Sequence, residues 1–358
     1  MNSKVKPSIL LNWYDENARE MPWRIGPLDR TSGIRPNPYH VWLSEIMLQQ
    51  TTVATVRSYF IKFIRKWPTL EKLAGAEESE ITAAWAGLGY YARARNLLRC
   101  AKIIFSEYGG KFPSDYKTLL KLPGVGPYTA GAISAIAFDR NEVVVDGNVE
   151  RVISRLFEIQ TPLPNSKGEI TKIARGLTPE VRPGDYVQAV MDLGATVCTP
   201  VAPKCLVCPL ETECLANKNG SANLVPFKLK KKKKPIRRGI IYIVKRVDQA
   251  YLLERRPAKG LLGGMLGWPT SEWSSEPNDI PPVDANWQMT NGHIRHTFTH
   301  FHLDVIVKFA TVPLNCKPKQ GFFIGKNEFD LSSLPTLFQK AYKPVSYTHL
   351  TLPTTSWG

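Results

Sequence analysis

The chain has 358 residues, more than one ordinary compact core holds, so two domains are expected. Lys and Arg number 47 against 31 Asp and Glu, a net charge of +16 that points to a polyanionic partner and hence to nucleic acid. No apolar run reaches the length of about 18 residues that a membrane span requires, and the short basic Met1–Lys6 lacks a following signal-type apolar stretch. No membrane span and no secretory signal are therefore expected, and a cytoplasmic, nucleoid-associated location is expected.

In chain order, residues from about 5 to 215 read as helical. Apolar residues recur at helical spacing in Ile9–Tyr14, Val41–Phe63, Ala92–Phe105 and Val187–Leu193. Short Gly and Pro breaks separate the segments, among them Gly87–Gly89, Pro123–Pro127 and Pro183–Gly184. The stretch Ile25–Pro38 is a long connection whose Arg30 and Arg35 are candidate phosphate contacts; no further role follows from its sequence. Composition shifts after Cys214, and Lys228 and Lys230–Lys234 make a basic linker, set at 223–235. Strands follow at Gly239–Val247, Tyr251–Glu254, His302–Thr311 and Gly321–Ile324, with a helix at Leu334–Tyr342. The expected architecture is an all-α domain over 1–222 and an α+β domain over 236–343. The tail, 344–358, is Thr-rich and unpatterned and is expected to be a non-native appendage.

Three constellations carry chemistry. In Leu122–Ala130 (LPGVGPYTA), Gly124 and Gly126 flank Val125 between two helical segments, a tight hairpin whose amides and following helix N-terminus suit a phosphate oxygen. This is a helix-hairpin-helix clamp on the DNA backbone, with Gly124, Val125, Gly126 and Thr129 as contact residues; such contacts position a duplex without reading its sequence. About twenty residues on, Asp146 precedes the helix beginning near Val149. Its commonest use there is as an N-cap. Cys198, Cys205, Cys208 and Cys214 follow at spacings of six, two and five residues. Four thiols in so short a segment of a cytosolic chain argue for metal rather than disulfides, and zinc sites more often pair two C-x2-C arms. Glu45 sits among Val41, Trp42, Leu43, Ile46, Met47 and Leu48, an apolar setting that raises a carboxyl's pKa toward the range of a general acid.

Together these motifs resemble the helix-hairpin-helix, iron–sulfur glycosylase superfamily. Tyr39–Thr55 (YHVWLSEIMLQQTTVAT) and Gly87–Asn96 (GLGYYARARN) look like MutY-type adenine DNA glycosylases. The resemblance implies base-excision DNA repair on duplexes carrying adenine opposite 8-oxoguanine or guanine. Glu45 would protonate the adenine and Asp146 would steady the oxocarbenium-like sugar, a two-carboxylate logic shared with glycoside hydrolysis; the base must first be flipped out. Asn148 would contact Asp146 or the sugar. The cysteine spacing matches the endonuclease III and MutY cluster loop, which implies one [4Fe-4S] cluster held by the four thiols. Tyr128 stands where strand-cutting relatives carry a Schiff-base lysine, which implies little or no lyase activity. Gln50 and Tyr90 match the family's wedge into the base stack. In the second domain, Leu252–Pro257 and Gly260–Pro269 resemble Nudix-type folds without the acidic magnesium-binding helix, which implies a recognition module. Phe298-Thr299-His300 matches the oxidised-guanine sensor, usually Phe-Ser-His. A monomer is expected. The rival readings are a bifunctional glycosylase–lyase for oxidised pyrimidines, opposed by Tyr128 and the second domain, and a non-catalytic iron–sulfur DNA-binding protein, opposed by the pair Glu45 and Asp146.

Overall fold

The computed structural model describes residues 5–229, 233–257, 260–290 and 292–348. The chain divides into two compact units, at Lys230 and Lys231.

The first unit is helical throughout: α1 (Pro7–Asn17), α2 (Pro27–Thr31), α3 (Pro38–Leu48), α4 (Val53–Lys66), α5 (Leu70–Ala74), α6 (Glu78–Ala84), α7 (Ala92–Glu107), α8 (Tyr116–Leu119), α9 (Pro127–Phe138), α10 (Gly147–Leu156), α11 (Lys167–Leu177), α12 (Pro183–Thr196) and α13 (Leu215–Lys218). At its centre α3 packs on α9 and α9 on α12. These three are apolar on nearly every face, as buried helices must be. The apolar run Val41–Phe63 is not one helix. Asn37 caps the start of α3, Gln50 turns left-handed at φ 60°, and the Thr52 side chain caps α4. Polar capping chemistry, with no Gly or Pro, ends one helix and begins the next.

The Ile25–Pro38 connection forms α2, and its Arg30 is no phosphate contact. Its side chain is buried, ion-paired to Asp139 at 2.5 Å and Asp185 at 2.8 Å, and donates to the Ile136 carbonyl. Arg35, exposed, pairs with Asp139 at 3.2 Å. Burying this guanidinium is tolerable because carboxylates and a carbonyl surround it.

Residues 223–229 belong to the helical unit. Leu163 donates to the Phe227 carbonyl and accepts from Leu229, while buried Arg155 donates Nε to the Val225 carbonyl at 2.9 Å. The chain thus leaves the unit after residue 229 rather than at 222; Lys230–Lys232 of the basic run lie outside the described residues.

The second unit is a mixed sheet of β1 (Ile236–Arg246), β2 (Tyr251–Arg255), β3 (Leu266–Gly267), β4 (Gln288–Met289), β5 (Ile294–Thr297), β6 (His302–Val312) and β7 (Phe322–Ile324), with α14 (Thr336–Thr348) against it. The strand order is β3-β2-β1-β6-β4, with β5 beside β6 and β7 beside β2. The long parallel pair β1–β6 runs in register from Ile236 opposite His302 to Arg246 opposite Val312. Its alternate residues Ile241, Ile243, Val305 and Val307 meet Trp268, Leu337 and Phe338 in one core. No helix forms among the described residues between Pro269 and Gln288, where a magnesium-binding helix would stand in a Nudix hydrolase. Helix α14 runs through Thr348, and Val345 is buried in the same core. The start of the expected tail is therefore integral to the fold, and residues 349–358 lie outside the described residues.

Candidate active site

Six segments line a cleft of about 780 Å³ in the helical unit, the size of a ligand site. Its lining includes Arg24, Glu45, Tyr128, Asp146, Asn148 and Gln188. Glu45 reaches it from α3, with only 7% of its surface exposed. Burial pushes its carboxyl from the ordinary 4.5 up to about 7; the Tyr128 hydroxyl and Arg24 pull it back, and Asp146 adds to the rise. Glu45 Oε2 has no hydrogen-bond partner within the protein. A buried carboxyl oxygen without a partner, on a residue that lines a cleft, calls for one. Tyr128 stands in the first turn of α9, its hydroxyl bonded to Glu45 and held well above the usual tyrosine range by burial and then by the charge of Glu45.

Asp146 is both the cap and a cleft residue. Its Oδ1 accepts from the backbone N–H of Asn148 and Val149 at 2.9 and 2.8 Å, and its Oδ2 accepts from the Asn148 side chain at 2.7 Å. Asn148 accepts in turn from Arg151 at 2.9 Å. Arg151 also donates to the carbonyls of Cys198 and Gly194, so α10 and the start of the cysteine loop share one guanidinium. Gly194 of α12 lies so close beneath Asn148 that an added Cβ would meet its Cβ at 2.6 Å; only glycine lets the two helices approach here.

Arg24 and Gln188 were not apparent as site residues from the sequence. Arg24 is held by Asp192 of α12 at 2.7 Å, and Arg19 shares that carboxylate at 2.6 Å. Among the described residues Lys167 is the only lysine lining the cleft, and it is exposed and paired with Glu150 at 3.1 Å.

The hairpin forms as expected between α8 and α9, with Gly124 at φ 77°. Val125 and Thr129, however, are buried, and Gln49 donates to the Thr129 hydroxyl at 3.2 Å. Those two side chains are turned inward, so any contact from these positions would come from the backbone amides, the groups the sequence pattern assigns to a phosphate. Gln50 and Tyr90 are both exposed and both in the left-handed region, at φ 60° and 50°. Non-glycine residues seldom pay that strain except where surrounding structure imposes it.

Cys198, Cys205, Cys208 and Cys214 line one small cavity with Arg155. The Arg155 guanidinium lies 3.3 Å from Cys198 Sγ, and burial pushes the Cys208 thiol up to about 12. Among the described residues no three side chains converge closely enough to hold a single metal ion. Four thiols around one cavity are a donor set that suits a thiolate-bound metal centre.

In the second unit, Phe298 stacks on Trp273 at 5.6 Å between centroids, and Lys234 donates to its carbonyl. Thr299 and His300 are exposed in the turn joining β5 to β6.

Two family descriptions match the chain: HhH-GPD superfamily base excision DNA repair protein over residues 43–180, and NUDIX domain over 240–343. A human adenine DNA glycosylase is 34% identical, across 93% of this chain and 72% of its own length. One from Buchnera aphidicola subsp. Schizaphis graminum is 36% identical, across 95% of this chain and 98% of its own. The chain belongs to the adenine DNA glycosylases. Like them it is a DNA N-glycosylase of base excision repair, a hydrolase that binds DNA. A solved thermostable thymine-DNA glycosylase is similar with a TM-score of 0.53 and 31% identity, covering 60% of this chain and 95% of that one. No helix among the described residues is long and apolar enough to cross a membrane.

Proposed function

We propose that this adenine glycosylase acts on adenine opposite 8-oxoguanine or guanine, with Glu45 as general acid and Asp146 as the charge that steadies the sugar. The observation that carries the reading is that Glu45, buried with one carboxyl oxygen unpartnered, lines the same cleft as Asp146, a setting that raises its carboxyl to about 7. A group poised there holds a proton at neutral pH and can give it to a ring nitrogen of the flipped base. As the glycosidic bond lengthens, positive charge grows on the sugar. Asp146, fixed by its three N–H donors, supplies the opposite charge without having to reorganise. Water then adds to the sugar carbon. Tyr128 keeps the Glu45 carboxyl oriented, and Arg24 and Gln188 face the space the base would fill.

Loss of the base without strand cleavage follows from Tyr128, which has no amine to form a Schiff base, and from the pairing of Lys167 at the rim. The four loop cysteines would hold a [4Fe-4S] cluster. When bound, it supplies a rigid cross-link that fixes the loop against α10. Exposed Thr299 and His300, braced from behind by the Phe298–Trp273 stack, are the proposed readers of the oxidised guanine. Gln50 and Tyr90 are the proposed wedge, since an aromatic and a polar side chain can replace the stacking lost when a base leaves. The chain works as a monomer on chromosomal DNA.

Labelled duplexes carrying adenine opposite 8-oxoguanine, adenine opposite guanine, and thymine glycol, each with and without alkali, test this. Adenine release with breaks only after alkali is expected. Cleavage of the thymine glycol duplex without alkali would instead establish the bifunctional reading.

A further inference from the structure

One side chain joins the proposed wedge to the proposed acid. Arg93, in the first turn of α7, donates Nη1 to the carbonyls of Ile46 and Met47, both at 3.0 Å. Its Nη2 donates to the carbonyls of Leu88 at 2.9 Å and Gly89 at 3.2 Å, and to the Thr51 hydroxyl at 3.4 Å. The guanidinium also lies 5.2 Å from the ring centre of Trp85 and 5.7 Å from that of Tyr90. The acceptors come from three places. Ile46 and Met47 immediately follow Glu45, and their carbonyls are orphans of the last turn of α3. The amide of Thr51, which would have served Met47, goes to Leu48 instead. Thr51 adjoins left-handed Gln50, and Leu88 and Gly89 lead into left-handed Tyr90.

We propose that Arg93 is a positioning residue for base excision: it holds the two wedge turns in fixed register with the helix end that carries Glu45. The proposal rests on the wedge and acid readings above. Only a planar fork with several donors can satisfy so many carbonyls at once; a lysine ammonium cannot span them. With the register fixed, a base displaced by Tyr90 arrives with its ring nitrogen at Glu45. With it loosened, the base is displaced but misplaced, and an error of about 1 Å at a reacting centre costs on the order of a hundredfold in rate.

The test uses the full chain and single-turnover rates at saturating enzyme. Two duplexes are compared: one with adenine paired opposite guanine, the other with the same adenine in a one-nucleotide bulge, where no wedge is needed to free it. Arg93→Lys is expected to slow the paired substrate by about a hundredfold and the bulged one by much less, with duplex affinity nearly unchanged. Tyr90→Ala should also slow the paired substrate, and the double variant should be no slower than the slower single. Equal losses on both duplexes, or losses that multiply, would overturn the proposal and leave Arg93 a purely structural residue. A fully active Tyr90→Ala would identify the wedge reading as the failure, and the proposal would fall with it. Trp85→Phe keeps an aromatic ring but removes the Nε1 donor that Trp85 gives Gly89 at 3.0 Å. It is the second variant should Arg93→Lys not fold, and it must show the same bias toward loss on the paired duplex.

Discussion

Replacing Glu45 by Gln should abolish adenine release and at the same time stabilise the protein. Raising a carboxyl from 4.5 to about 7, at about 1.4 kcal/mol per pH unit, makes its ionised form costlier by about 3 kcal/mol in the folded state. The native state thus holds the Glu45 proton more tightly than the unfolded chain does. The associated stability is fully present below pH 4.5 and is lost as pH rises through about 7. An amide does not titrate and occupies nearly the same volume. Glu45→Gln should therefore melt close to wild type near pH 4.5 and progressively higher above it, approaching about 3 kcal/mol in its favour at pH 8.5. For a unit of this size that is roughly 6–12 °C. Activity moves the opposite way. Without the proton donor, single-turnover excision should fall by about 100-fold or more, while binding to lesion DNA persists. In the wild type the rate should decline about tenfold per pH unit above pH 7 as the acid deprotonates. Thermal melting from pH 4.5 to 8.5, alongside quenched-flow excision, measures both. A difference in melting temperature that does not grow with pH would refute the buried, proton-holding carboxyl, and wild-type turnover would refute the acid.

Asp146→Asn should likewise lose excision while melting within about 1 kcal/mol of wild type, because Asn caps a helix about as well as Asp; a change in stability alone would mean that the side chain only caps. Metal analysis should find iron with acid-labile sulfide and no zinc, and Cys205→Ser or Cys208→Ser should lower soluble yield; one zinc and no iron would contradict this. A chain ended after residue 229 should excise adenine with about tenfold less preference for the oxidised pair, the effect of losing a few hydrogen bonds of about 0.5–1.5 kcal/mol each. One ended at 223 strips buried Arg155 of the Val225 carbonyl and should also be less stable. Thr299→Ala with His300→Ala should reproduce the lost preference in the full chain; undiminished preference there would remove the sensor from this turn.

Much of this was legible in the sequence because it is local. The hairpin and the capping Asp146 each fit within a few residues and the four cysteines within one loop; β1, β2 and β6 carry long apolar patterns, and β7 shows as the apolar triplet Phe322–Ile324. The short strands β3, β4 and β5 do not, since pairing with neighbours rather than their own composition makes them strands. The break in Val41–Phe63 was hidden because Gln and Thr carry no breaker signal. Arg24 and Gln188 were missed because only folding brings them to the cleft. A clue existed: Gln188 and Asp192 interrupt the apolar helix α12, and polar groups buried so deeply require partners.

The ion pairs of Arg19 and Arg24 with Asp192 close the cleft between segments 173 and 168 residues apart in the chain. Gln188 lies on the same late helix. During synthesis the hairpin and Glu45 emerge long before α12. Because α9 packs on α12, the hairpin's own helix also stays uncovered on one face until α12 has been made. Closure waits for almost the whole helical unit, so excision and the completed fold arrive together.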